Sequence, residues 1–557
     1  MATPQLQPGA QQSWIARHFT LLLCAIAAAG IIPCLFVAPA QYIGYDGWWH
    51  LFTATQDQWI NFLREWKYEA HPPLHYLLLR LVAGVGHSRL MLGSIGIVAS
   101  AFSTWVIGVI ASKICCYRIS ALLAAAAYAL AWNMIPLECE VRAYPLALLF
   151  VLLAFNAFID LIAAPGGPSA RRAVLRFGGY SVVALLSEYY TGLFLVGCGV
   201  LVALRLLIRR DFRAAFLESV PRNGRQYFIA VASIFAVFAL LFGAHVGGQE
   251  IIRGTLDPYL WSERSPYSLD QFLSTNFALE TSYFTPLGLD PAIMLALVVL
   301  VLLPSLLWFA FLRKERWRAP ATADAPLMLI LLLCQIVVLS LAGRYPFGGE
   351  SRHQSILAPF VFLTAFLVLD RVAGTLPGRL PRQALFAATV LLIAANLAFG
   401  WRSHTAYVEE PRTADYRHFQ EVFPSPETVY ADALSSRFYY AQTHQATWTF
   451  DHGALTQDQY IGIYHVADNS GHRVRYMRNK SRTLFDLSDP ATYQVLAGAL
   501  REEHLNSAVL FYNGTDWTVA DAVVLEQNAR RLAPRAGLEY GRASVGPNYA
   551  FIEFKIR

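Results

Sequence analysis

Four short clusters of acids, cations and aromatic residues interrupt an otherwise strongly apolar chain, and their residue types suit acid–base and phosphate chemistry. The first is Gly44-Tyr45-Asp46-Gly47-Trp48-Trp49-His50. A carboxylate there can accept a proton from an attacking hydroxyl, the task of a general base; a helix-capping aspartate beside interfacial tryptophans is the plainer alternative. In the second, Glu69-Ala70-His71-Pro72-Pro73-Leu74-His75-Tyr76, two prolines hold an extended backbone ahead of an apolar helix. A protonated histidine at that corner holds an anion, and the alternative is an interfacial ring on a rigid bend.

The third cluster, Glu138-Cys139-Glu140-Val141-Arg142-Ala143-Tyr144-Pro145, opens an apolar helix with carboxylates and a guanidinium. Arg142 can grip a phosphate bidentately or pair with a nearby glutamate. The fourth, Arg344-Tyr345-Pro346-Phe347-Gly348-Gly349-Glu350-Ser351-Arg352-His353, is a glycine-rich turn whose cations can also meet phosphate, or can simply be solvated. Ser187-Glu188-Tyr189-Tyr190-Thr191-Gly192 adds a polar break within the apolar run between Phe177 and Leu207.

The elements that must position these groups are membrane helices. The chain has 557 residues, 56% hydrophobic and 15% charged, with a mean hydropathy of +0.40, whereas soluble domains carry about 25% charged residues. Apolar windows long enough to span a bilayer fall near 19–39, 89–111, 119–136, 143–163, 190–208, 227–246, 291–312, 327–343, 355–371 and 383–401. Splitting the 177–207 run at Glu188 gives about eleven spans. The charge pattern requires that split. Basic loops then alternate, with Lys113 and Arg118; Arg171, Arg172 and Arg176; Arg209, Arg210, Arg213, Arg222 and Arg225; Arg313, Lys314, Arg316 and Arg318; and Arg371, Arg379 and Arg382 all on one side. Cytoplasmic loops collect Lys and Arg, so the N-terminus is expected inside, and the four clusters and residues 403–557 outside.

The net charge of +6 follows from these loops and forms no single basic stripe, so a nucleic-acid partner is not expected. The apolar run after Arg17 is too long for a signal-peptide core and reads as a retained span. Seven cysteines all lie in or beside apolar segments, none beyond residue 402, so neither a disulfide framework nor a metal cluster is expected. Beyond Trp401 the polarity becomes ordinary. Strands are expected at 428–431, 460–464, 508–512 and 549–554, with helices near 435–443, 490–503 and 520–532, which together describe a small soluble α/β domain.

The first-loop acid, the Pro-Pro corner, the Glu140-Val141-Arg142-Ala143-Tyr144 helix start and the late Tyr345 to His353 turn together resemble the GT-C superfamily. The closer resemblance is to the family 39-like membrane glycosyltransferases, which include protein O-mannosyltransferases and the lipid A aminoarabinose transferases. It covers about residues 14–402. Two domains are implied, a GT-C-like transmembrane catalytic domain over 1–402 and an extracytoplasmic domain over 403–557. The implied activity moves a sugar from a polyprenyl-phosphate donor to an acceptor hydroxyl outside the cytoplasm, with inversion, in the bacterial inner membrane. Asp46 matches the family's catalytic acid, His71-Pro72-Pro73 its loop corner, and Glu140, Arg142 and Tyr144 its helix start. The family often has Lys where this chain has His71, and a double acid where this chain has Asp46 alone.

The expected roles follow from the chemistry. A polyprenyl phosphate is a good leaving group, so the site needs a base, Asp46, and positive charge for the phosphate from Arg142, Arg352, His71 and His353. Glu69, Glu140, Tyr144, Glu188 and Tyr345 are the supporting residues. No metal ligand set is assigned. A divalent cation is a candidate cofactor only in that Glu69, His71 and Glu140 are suitable donors, at a spacing that is not diagnostic. No Asp-x-Asp triplet occurs, which argues against a metal-held nucleotide sugar. The acceptor, whether lipid, polysaccharide or protein, is not encoded in these residues. A lipid or solute transporter is the competing class, but transporters place polar groups at the midplane of repeated, broken helices, and this chain shows no internal repeat.

Overall fold

The computed structural model describes residues 10–41, 45–56, 58–67, 69, 71–165, 167, 169–245, 268–269, 271, 323–347, 351–405, 428–431, 447–451, 460–467, 473–479, 488–513, 519–546 and 549–557. The first long helix is α1 (Ala10–Ala40). The first loop that follows is itself largely helical, with α2 (Tyr45–Ala54), α3 (Trp59–Trp66) and α4 (Pro73–Val85). Pro73 starts α4 because proline has the right φ for a first turn and no N–H to leave unbonded. Next come α5 (Arg89–Ile114), α6 (Arg118–Ala129), α7 (Met134–Cys139) and α8 (Tyr144–Ala163). They lead to α9 (Ala170–Ser187), α10 (Thr191–Ile208) and α11 (Arg210–Ala244). The helical part ends with α12 (Asp324–Leu341), a 3-10 turn over Ser351–Leu357, α13 (Ala358–Thr375) and α14 (Leu380–Thr405).

Among the described residues, eight helices are long and apolar enough to cross a membrane. The expected break at Glu188 is present, because α9 stops at Ser187 and α10 starts at Thr191. Glu188 holds the corner with its own backbone and side chain, since its carbonyl accepts from Thr191 Oγ1 (2.7 Å) and its carboxylate from the Tyr189 N–H (3.0 Å). The window at 291–312 lies outside the described residues.

One expected span differs. Residues 119–136 form no continuous helix: α6 ends at Ala129 and the chain resumes helically only at Met134. The Trp132 N–H donates to Asn396 Oδ1 of α14 (3.4 Å), and the Trp132 ring meets Trp401 edge-on. A side chain of α14 thus takes the Trp132 N–H in place of an intrahelical carbonyl.

The core is centred on α8, which is apolar all round and buried on most sides, as expected of a helix inside a bundle. Phe155 of α8 packs edge-on against Phe194 of α10 and Phe360 of α13. By contrast, α11 and α14 expose most of their apolar side chains, which suits a lipid-facing position. Asp370 of α13 caps α6 by accepting from the N–H groups of Cys116 and Tyr117, both at 2.8 Å.

After α14 the described elements change to strands. They are β1 (Thr428–Ala431), β2 (Thr447–Asp451), β3 (Tyr460–Ala467), β4 (Arg473–Asn479), β5 (Ser507–Asn513), β6 (Leu538–Gly546) and β7 (Tyr549–Ile556). They form one mixed sheet in the order β2-β3-β4-β1-β5-β7-β6, with β1 parallel to β4 and β5 and the remaining pairs antiparallel. Helices α15 (Pro490–Glu502) and α16 (Val519–Leu532) accompany the sheet, with Tyr430, Tyr493, Leu496 and Phe554 buried in the shared core. The four expected strands and two of the expected helices are present; 435–443 lies outside the described residues. Strands β2, β4 and β6 were not expected from the sequence.

Candidate functional site

The Pro72-Pro73 corner directs His71 toward the break between α9 and α10, where its Nδ1 lies 2.6 Å from Glu188 Oε2. A charge-assisted bond of that length holds the ring firmly. The His71 ring also meets Tyr144 at right angles, with centroids 5.9 Å apart. Tyr144 is also covered by the Arg142 guanidinium, 5.4 Å from the ring centre, and it stacks on Tyr190. Tyr144 therefore contacts both of the cations expected from the sequence. Of the two, Arg142 is the more enclosed, at 3% exposure against 14% for the His71 side chain.

Small residues on α5 set the position of the Arg142 corner. A Cβ on Gly93 would lie 2.8 Å from the Cys139 carbonyl oxygen, and one on Gly96 would lie 2.2 Å from that of Glu138. Glycine at these two positions lets α5 touch the backbone of α7 directly, in the manner of small residues at membrane-helix crossings. The backbone then turns tightly, with the Arg142 N–H donating to the Glu140 carbonyl (2.9 Å). Glu140 Oε2 lies 3.8 Å from Arg142 Nε, so Glu140 accompanies the guanidinium.

Beside His71 lies a second layer, drawn from the first three polar clusters of the sequence. His50 of α2 contacts His71, His75 and Tyr76, with ring centroids 4.9, 5.1 and 4.7 Å away. His75 is fully buried; burial first, then the neighbouring His71 and Arg142, pushes its pKa down to about 3. Glu69 is also buried, with Oε1 accepting from Thr53 Oγ1 (2.9 Å) and Oε2 from the Tyr76 hydroxyl (3.1 Å). Glu138 faces inward to Cys34 Sγ (3.7 Å), and burial raises its pKa to about 7.

Asp46 is the second residue of α2, one turn before His50 and two before Thr53. Its side chain lies outside the described residues. Arg352 and His353 belong to the 3-10 turn, which packs against α8, α12 and α13. Tyr345 braces that turn by donating its hydroxyl proton to the His353 carbonyl, and Gln354 Nε2 donates to the Pro346 carbonyl (2.8 Å). Among the described residues, no group of three or more His, Cys, Asp or Glu side chains is arranged to hold a metal ion. Glu69 and Glu140, both donors in the candidate cation set, are engaged by Thr53 and Tyr76 and by Arg142 respectively.

This arrangement, apolar helices with a polar cluster on the first loop and at helix ends, shares its fold with a solved membrane protein. The chain is similar to ArnT from Cupriavidus metallidurans bound to undecaprenyl phosphate, at 12% identity and a TM-score of 0.52, with 98% of each chain covered. It is equally similar to the same protein in the apo state, at 12% identity and a TM-score of 0.52, covering 97% of this chain and 98% of the other. No family model and no curated protein sequence matches the chain.

Proposed function

We propose that this chain is a glycosyltransferase that moves a sugar from a polyprenyl-phosphate carrier to an acceptor hydroxyl on the extracytoplasmic side of the bacterial inner membrane, with inversion. The observation that carries this reading is the convergence of His71 and Arg142 on Tyr144 within a GT-C fold. Inversion is a single displacement: the acceptor oxygen attacks the anomeric carbon from the face opposite the departing phosphate. Asp46 takes the hydroxyl proton, and His71, Arg142, Arg352 and His353 offset the charge that grows on the phosphate. Glu188 orients His71, Tyr144 packs against both cations, Glu69 fixes the corner, Glu140 accompanies Arg142 and Tyr345 braces the late turn. The similar ArnT structure holds undecaprenyl phosphate, which supports the choice of carrier.

In this reading residues 1–402 are the catalytic domain, the N-terminus is cytoplasmic and residues 403–557 form the extracytoplasmic domain. The acceptor is a lipid, a polysaccharide or a protein. The test incubates the purified chain with radiolabelled polyprenyl-phosphate sugars and an extract of envelope acceptors. Label should pass to an acceptor as free polyprenyl phosphate appears, and the His71→Ala chain should lose the activity. Labelled carrier crossing a vesicle membrane with its sugar–phosphate bond intact would contradict transfer and favour transport.

A further inference from the structure

We propose that His245 is a positioning residue for the donor-phosphate site, acting on His71 through Trp66 and Tyr189; the inference rests on the donor site described above. His245 ends α11, far in sequence from His71, and is fully buried. Its Nε2 lies 2.8 Å from the Trp66 carbonyl oxygen, and its Nδ1 is bonded to the Tyr189 hydroxyl. A carbonyl only accepts, so Nε2 carries the proton, and in that neutral tautomer Nδ1 accepts a hydrogen bond from the Tyr189 hydroxyl. The Trp66 indole stacks on the His245 ring, with centroids 4.5 Å apart and planes 8° from parallel.

Both partners lead back to His71. Trp66 Nε1 donates to the His71 carbonyl (3.2 Å), fixing the backbone of the corner. The Tyr189 N–H donates to Glu188 Oε1 (3.0 Å), and Glu188 Oε2 holds His71 Nδ1. The hydrogen bonds thus close a circuit from the His71 ring through Glu188, Tyr189, His245 and Trp66 to the His71 backbone. His245 is the member that joins the α9–α10 corner to the end of α3, so its loss frees both supports of His71 together.

The test uses the full chain in detergent with undecaprenyl phosphate as the probe, comparing wild type with His71→Ala, Tyr189→Phe, His245→Asn and His245→Gln. Tyr189→Phe leaves the backbone cap of α11 intact, so a binding defect there is not a capping effect. Asn keeps an acceptor near Nδ1 for Tyr189, and Gln keeps a donor near Nε2 for Trp66. Each of these three variants should bind about 3- to 10-fold more weakly, the loss of one hydrogen bond's worth of positioning, with thermal unfolding close to wild type. Tyr189→Phe combined with His245→Gln should be no worse than His245→Gln alone, because both break the same link. If His71→Ala loses binding while Tyr189→Phe and both His245 variants bind as wild type does, the donor site stands and the role of His245 is overturned. If wild type fails to bind the probe, or His71→Ala binds it fully, the donor site itself falls and this proposal falls with it.

Discussion

At the scale of single residues, the contacts of Glu69 separate it from Asp46 as a base. Both oxygens of Glu69 already accept hydrogen bonds from Thr53 and Tyr76, so its carboxylate is committed to holding the corner. Arg142 lies over Tyr144 beside Glu140, where a guanidinium's planar fork matters and a point charge does not replace it. Arg142→Lys should fold and yet bind polyprenyl phosphate about tenfold more weakly, the worth of a lost charge-assisted bond, as read by titration; unchanged affinity would make Arg142 structural. Glu138 supports a prediction about stability. Burial raises its pKa from the usual 4.5 to about 7, so the folded chain holds a proton there that the unfolded chain releases. Its contribution is full below pH 4.5 and is lost as pH rises through 7. Glu138→Gln should therefore raise thermal stability at pH 8 relative to wild type, by on the order of 1–3 kcal/mol, and change it little at pH 4. Equal effects at both values would show that Glu138 is not a buried acid. The cluster of His71, Arg142 and Glu188 was legible in the sequence because polar groups at the ends of apolar runs are costly and stand out. His245 and Trp66 were not, since their contact joins residues 179 apart and neither sits in a cluster.

At the scale of elements, the apolar windows and the Glu188 break follow from hydropathy and loop charge alone. The interruption of 119–136 does not, because it depends on Trp132 and Asn396 meeting across α14. In the tail, β4 was hidden by Arg473, Arg475 and Arg478 in a strand whose place comes from pairing with β3 and β1. In β6 the register shift between Tyr540 and Ala543 breaks the alternation that marks a strand. The α5–α7 crossing gives the element-scale prediction. Gly96→Ala places a methyl 2.2 Å from the Glu138 carbonyl oxygen, where neither backbone can yield without moving the corner that carries Arg142. Expression should persist, while polyprenyl-phosphate affinity should fall at least as far as in Arg142→Lys. Gly84→Ala, where the added Cβ meets nothing within 4 Å, is the control and should bind normally.

At the scale of the whole molecule, the account depends on which side of the membrane each end of the bundle faces. The basic cluster at Arg209, Arg210 and Arg213 opens α11 at one end, and His245 closes it at the other, beside Trp66 and Tyr189. In the orientation proposed above, with the basic end in the cytoplasm, the His71 cluster faces outward. An alkaline phosphatase fused after residue 402 should be active, and activity of a fluorescent cytoplasmic reporter at that site instead would reverse the topology. The central claim is a transfer reaction with Asp46 as its base, and single-turnover sugar transfer with donor saturating tests it most directly. For Asp46→Asn, Glu69→Gln and Glu140→Gln measured side by side, the account predicts a loss of about 10²- to 10⁴-fold for Asp46→Asn, smaller losses for the other two, and unchanged donor binding in Asp46→Asn. Wild-type turnover in Asp46→Asn, or a larger loss in Glu69→Gln or Glu140→Gln, would contradict it.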